Sequence, residues 1–140
     1  MSDSDIFVGE FSLVSSDKFD EFLAALGVSY LVRKVAITTK PSFVVKKESD
    51  EEYIFKTEST FKSTEFKFKL GEPFDEKRMD GVTCKSTITK DGNKLIQKQE
   101  GDPPAEYIRE FSQEDLKTTC ITKGKDGQEV VSVRMYKRKK

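Results

Sequence analysis

The sequence contains no histidine, no tryptophan and only two cysteines. Without an imidazole, Ser-His-Asp hydrolysis, Cys-His nucleophilic chemistry and nearly all common zinc sites are excluded. Catalysis would have to run on carboxylates, lysine or tyrosine, so the expectation is a protein that is not an enzyme and carries no cofactor or metal. Cys84 and Cys120 are too few for a secreted disulfide framework and are expected to be free thiols in a reduced, cytoplasmic protein. No run approaches the roughly 18 apolar residues of a membrane span. The start, Met1-Ser2-Asp3-Ser4-Asp5, is acidic where a secretory signal would be basic. Gly does not follow Met1 and no cysteine sits near the C-terminus, so the common lipid anchors are not expected. Excess charge is missing too: 25 basic and 25 acidic residues cancel. A nucleic-acid partner is therefore not expected, since it usually calls for a strongly basic domain.

What is present is a chain of 140 residues, a length that predicts one domain over residues 1–140. Hydrophobic residues make up 35% and charged residues 36%, so the dry core must be small. Eleven phenylalanines spaced for burial nevertheless argue against disorder. The segment Ile6 to Val14 reads as a strand bent at Gly9. The period then changes to that of a helix. Ser16 is suited to N-cap it, Asp17, Asp20 and Glu21 load its first turn, and Phe19, Phe22, Leu23 and Leu26 follow at helical spacing. Gly27 stops this helix, and a second is predicted from Ser29 to Ala36, giving a helical pair over about residues 16–36.

The remainder reads as β. Thr64 to Leu70 alternates, with Phe66, Phe68 and Leu70 facing one way and Glu65, Lys67 and Lys69 the other. Further short runs are separated by Asp91-Gly92-Asn93, by Gly101-Asp102-Pro103-Pro104 and by Lys125-Asp126-Gly127. About ten strands at this spacing predict an antiparallel meander, which hides its edges by closing into a barrel. Ten strands make a barrel wide enough to enclose a ligand cavity. A two-sheet sandwich decorated by the helices fits the same pattern.

Several segments resemble the intracellular fatty-acid-binding proteins, cytosolic lipid-binding members of the calycin superfamily. Phe7-Val8-Gly9, Leu13-Val14-Ser15-Ser16 and Phe19-Asp20 are similar to that family's first strand and helix. Leu26-Gly27-Val28, Arg33-Lys34-Val35-Ala36 and Lys40-Pro41 follow in the family order. So do Glu58-Ser59-Thr60-Phe61-Lys62, Leu70-Gly71-Glu72-Pro73-Phe74-Asp75-Glu76, Lys85-Ser86-Thr87 and Arg134-Met135-Tyr136-Lys137-Arg138. Two features depart from the pattern: Phe11 replaces the usual tryptophan of the first strand, and the Gly101 to Ala105 turn is extended. The resemblance implies an all-β fold, a ten-stranded antiparallel up-and-down β-barrel of two near-orthogonal five-stranded sheets, with a helix-turn-helix lid.

Arg134 and Tyr136 are two apart on one strand and so share a face. Pattern alone would turn Val131, Val133 and Met135 inward and leave Arg134 in water. The resemblance selects Arg134 and Tyr136, and makes Arg109 the second arginine that binds a ligand carboxylate. A carboxylate stripped of water needs such partners: guanidinium stays charged and its fork matches the two oxygens, while a tyrosine hydroxyl adds a donor. By the same resemblance Phe19, Leu23, Val28, Pro41, Ser59, Phe61, Met79, Asp80 and Cys120 line the cavity or its portal.

The implied function is intracellular binding and transport of long-chain fatty acids by a monomer. The alternatives are a binder of retinoic acid or another acidic lipid, and a structural lipid-binding protein at the membrane surface. Arg33, Lys34 and the Lys137 to Lys140 run offer charge for transient contact with anionic membranes.

Overall fold

The computed structural model describes residues 5–60, 63–79 and 81–139. Ten strands form one antiparallel sheet in the order β4-β3-β2-β1-β10-β9-β8-β7-β6-β5. They are β1 (Gly9–Asp17), β2 (Ser42–Lys47), β3 (Glu52–Glu58), β4 (Thr64–Lys69), β5 (Phe74–Lys77), β6 (Thr83–Asp91), β7 (Lys94–Glu100), β8 (Ala105–Phe111), β9 (Asp115–Lys123) and β10 (Glu129–Arg138). Sequential neighbours pair throughout except at β4 and β5, and the β1–β10 ladder joins the two halves of the sheet. The result is a nearly closed barrel. Where β4 and β5 do not hydrogen-bond, aromatic rings bridge the gap: Phe74 stacks on Phe66 at 5.3 Å and on Phe68 at 5.9 Å.

Two helices, α1 (Phe19–Leu26) and α2 (Tyr30–Thr38), fill the β1–β2 connection. The first helix starts later than expected, and Ser16 is not its cap. Ser16 and Asp17 stay in β1 opposite Arg134 and Val133, beyond a register shift between Leu13 and Ser15. Ser132 Oγ also donates to the Asp17 carbonyl at 2.7 Å. Tertiary pairing thus outcompetes the local capping preference of serine. The turn falls instead on Lys18, in a left-handed conformation (φ 60°) with no side-chain cap. Gly27 ends α1 as expected, at φ 95°, and the Ser29 hydroxyl caps α2 by accepting from Val32 N–H.

The first strand likewise begins at Gly9 rather than Ile6. A Cβ at Gly9 would collide with the Arg138 guanidinium, which donates to the carbonyls of Ile6, Val8 and Ser112. This arginine staples the incoming chain to the barrel. The meander puts the 48–51, 70–73, 92–93 and 112–114 turns at one end, and the helices with the remaining turns at the other.

Each end has its own apolar cluster. Phe7, Phe11, Tyr53, Phe68, Leu95, Phe111 and Leu116 pack the turn end, with Phe7 edge-on to Phe111 at 5.1 Å. Phe22, Leu23, Leu26, Val28 and Ala36 of the helical segment pack on Ala105 and Cys120 at the other. Burying such side chains contributes roughly 1.5–3 kcal/mol each. The middle of the barrel is left for something else.

Candidate functional site

Between the two clusters lies a cavity of about 400 Å³, within the roughly 300–1,000 Å³ of small-molecule sites. Its lining is mixed. Phe19, Leu23, Pro41 and Phe43 supply apolar surface, while Arg109, Arg134, Tyr136, Glu76, Gln97 and Gln99 supply polar groups.

On β10 the polar residues face inward. Ser132, Arg134 and Tyr136 are buried, whereas Val131 is exposed and Val133 and Met135 are half-buried. Arg134 is 7% exposed. Its guanidinium carbon lies 3.7 Å from the centre of the Phe19 ring, and its Nε has no hydrogen-bond partner among the described residues. A buried cationic N–H without an acceptor is costly, and an oxygen from an enclosed water or a ligand would satisfy it. Tyr136 tilts against Phe43 at 6.3 Å. Burial pushes its phenol pKa up, which keeps the hydroxyl a donor at neutral pH.

The extended turn does not displace Arg109. The β8 register sets Arg109 opposite Leu95 on one side and Thr118 on the other. Arg78 Nη1 holds the turn itself by donating to the Pro103 carbonyl at 2.7 Å. The Arg109 guanidinium packs over Phe55, Phe43 and Tyr107 at 4.9–5.3 Å and donates from Nη1 to Gln97 Oε1 at 2.7 Å. Its remaining open surface faces the cavity, so loss of water lowers its pKa, and Cys120, Glu76, Tyr107 and Tyr136 pull the other way. An incoming carboxylate would relieve the same cost.

Of the other expected residues, Phe19, Leu23, Pro41, Ser59, Met79 and Cys120 line the cavity. Cys84 and Cys120 are buried and form no disulfide, and burial raises the Cys120 thiol to about 11. Val28 is 2% exposed and packs in the helical cluster with Phe22, Leu23, Leu26 and Ala36, and is not among the residues lining this cavity. Phe61 and Asp80 lie outside the described residues.

Sequence reasoning missed the carboxylate within. Glu76 Oε1 accepts from Ser86 Oγ (2.7 Å), Gln97 Nε2 (2.6 Å) and Gln99 Nε2 (2.9 Å). The available signal was parity: Gln97 and Gln99 share a strand face with the core residue Leu95, and Glu76 shares one with Phe74. Among the described residues no group of three or more Cys, Asp or Glu is placed to hold a metal ion.

The lipocalin / cytosolic fatty-acid binding protein family model matches residues 8–139. A fatty acid-binding protein of Tyrophagus putrescentiae is 46% identical over 131 residues, covering 93% of this chain and 95% of the relative. Among solved structures, the brain fatty acid-binding protein of Drosophila melanogaster superposes with a TM-score of 0.86 at 44% identity, covering 94% of this chain and 98% of that one. A Schistosoma mansoni fatty acid binding protein in complex with arachidonic acid gives a TM-score of 0.89 at 34% identity, covering 99% of this chain and 100% of that one.

Proposed function

Because this chain belongs to the lipocalin / cytosolic fatty-acid binding protein family, we propose that it binds and transports one long-chain fatty acid, held inside the barrel with the carboxylate on Arg134, Tyr136 and Arg109. The fatty-acid-binding proteins of that family are cytosolic binding proteins, and the curated relatives this chain matches are fatty acid-binding proteins. The observation that carries the finer reading is the buried, unsatisfied Arg134 Nε beside a cavity of about 400 Å³.

The binding has two parts. Each buried methylene contributes about 0.8 kcal/mol, so some fifteen give on the order of 12 kcal/mol gross. Lost freedom of the ligand takes back several kcal/mol, leaving affinities between micromolar and nanomolar. The tail supplies the affinity. The arginines select the headgroup, because a cavity with cationic donors and a neutral tyrosine favours an anion over an alcohol of the same length. Displacement of a bound fluorescent fatty acid by a fatty acid and by its alcohol tests this. The acid should compete at least tenfold better, and equal competition would sink the carboxylate assignment.

A second reading, contact with a lipid surface, is favoured by α2, where Leu31 is 76% exposed and Tyr30, Val35 and Ile37 are also exposed. The charges expected to assist do not gather there. Arg33 is engaged by Asp20 at 2.9 Å and by the Val28 carbonyl at 2.8 Å. Lys137 and Lys139 lie at the end of the barrel opposite the helices, and Lys140 lies outside the described residues. Lys34 remains exposed on α2. Vesicle binding that is lost in Leu31→Ser would support this contact, and binding that survives the substitution would count against it.

A further inference from the structure

The carboxylate site does not use Glu76, a carboxyl group lining the same cavity as the two arginines. All three of its protein donors, Ser86, Gln97 and Gln99, converge on one oxygen, Oε1. No described residue donates to Oε2 in addition. The Gln99 amide is oriented by this contact, since its Nε2 must face the acceptor. Its Oε1 is thereby turned away. That oxygen is buried, in a residue only 4% exposed that lines the cavity, and accepts no hydrogen bond among the described residues. Two hydrogen-bonded side chains of the cavity thus each keep an acceptor oxygen for which no described residue supplies a donor.

An acidic lipid with a plain hydrocarbon tail offers them nothing, whereas a hydroxyl on that tail does. We propose that Glu76 and Gln99 form a second polar subsite, which accepts the hydrogen of a hydroxyl group on the chain of an acidic lipid. The inference rests on the reading of Arg134, Tyr136 and Arg109 as the carboxylate site. The two sites are linked through one amide: Gln97 Nε2 donates to Glu76 at 2.6 Å while its Oε1 accepts from Arg109 at 2.7 Å. The ligand class is therefore a hydroxylated long-chain fatty acid, anchored by its carboxylate and registered by its hydroxyl.

In a cavity without such acceptors a chain hydroxyl weakens binding, because burying it unpaired is unfavourable. The sign of the hydroxyl effect is the test. Stearic acid and monohydroxystearic acids, with the hydroxyl at successive positions, are compared by displacement of a fluorescent fatty acid. At least one position should bind about three- to tenfold tighter than stearic acid, the range of one net hydrogen bond. Its methyl ether, which cannot donate, should lose that advantage on the unaltered protein, and Gln99→Met should bring the hydroxy-to-plain ratio to about one or below. A series in which no hydroxy acid exceeds stearic acid overturns the inference. So does a preference that survives in the methyl ether or in Gln99→Met. Equal displacement by stearic acid and stearyl alcohol would overturn the carboxylate site, and this subsite with it. A headgroup preference without a hydroxyl preference overturns the subsite alone.

Discussion

The guanidinium of Arg134 and the ring of Phe19 are in contact, 3.7 Å from guanidinium carbon to ring centre. The contact follows from the β1 register: Ser16 sits opposite Arg134, and the left-handed turn at Lys18 brings the first residue of α1 over it. The first helix and the proposed headgroup site are therefore physically joined. The ring covers the guanidinium without accepting a hydrogen bond from Nε, which has no partner among the described residues. Phe19→Leu keeps the apolar volume but removes the cation–π contact, valued at about 0.5–2 kcal/mol. The contact is already made without a ligand, so urea unfolding should show stability falling by about that amount. A loss of fatty-acid affinity in calorimetry that the corresponding alcohol does not share would measure the ring's part in holding the headgroup.

Arg134→Gln removes the charge from the same place. Breaking a buried ion pair costs about 3–5 kcal/mol, and a ligand that can shift toward Arg109 recovers part of it, so the loss for a fatty acid is set at about 2–5 kcal/mol. The fatty alcohol should lose far less. Equal losses for the two ligands would show that Arg134 shapes the cavity without holding the headgroup.

The meander, the two helices and the Gly27 stop were legible in the sequence because turn residues and hydrophobic period report them locally. The inward face of β10 was not. A core-forming strand would bury Val131 and Val133, yet this strand buries Ser132, Arg134 and Tyr136. Alternation gives two faces and cannot say which of them meets a polar interior; there the family resemblance decided correctly. Glu76, Gln97 and Gln99 were missed for the same reason: they share a face with Phe74 or Leu95, yet polar residues on short strands pass as the solvent side. Ser16 misled in the opposite direction, because its local preference was strong and its partner, Arg134, lay far along the chain.

Gln97 holds two charged side chains at once, donating to Glu76 and accepting from Arg109. Gln97→Leu is close in size but leaves both groups short of a partner inside the barrel. Orphaned buried polar groups cost about 1–3 kcal/mol, more when charged. Urea unfolding should show a lowered midpoint with an unchanged slope, as for a loss of stability without a change in exposed surface. An unchanged midpoint would mean that water replaces the amide at little expense.

The far end of the barrel makes an acid-sensitive clasp. Asp5 Oδ2 accepts from Tyr53 Oη at 2.6 Å, Asp5 Oδ1 accepts from Phe7 N–H at 2.9 Å, and Lys47 Nζ lies 3.3 Å from Oδ2. Burial tends to raise the Asp5 pKa, but the bonds from Tyr53 and Phe7 and the Lys47 charge together hold it below the ordinary 3.8. The folded state therefore binds this proton less readily than the unfolded chain does. The resulting stability is fully present above pH 3.8 and disappears as pH falls through the lower folded-state value. In Asp5→Asn this contribution is absent at every pH. Urea unfolding from about pH 6 down to about pH 2 should show the wild-type advantage constant at first and then shrinking below the ordinary carboxyl range. Tyr53→Phe removes the shortest of the three bonds, worth about 1.5–3 kcal/mol for a charged acceptor. Its cost should shrink over the same acidic range, because protonation of Asp5 removes the charge that strengthens the bond. A Tyr53→Phe penalty that stays constant to the lowest pH would mean that ring packing against Phe68, and not the bond to Asp5, is what Tyr53 contributes.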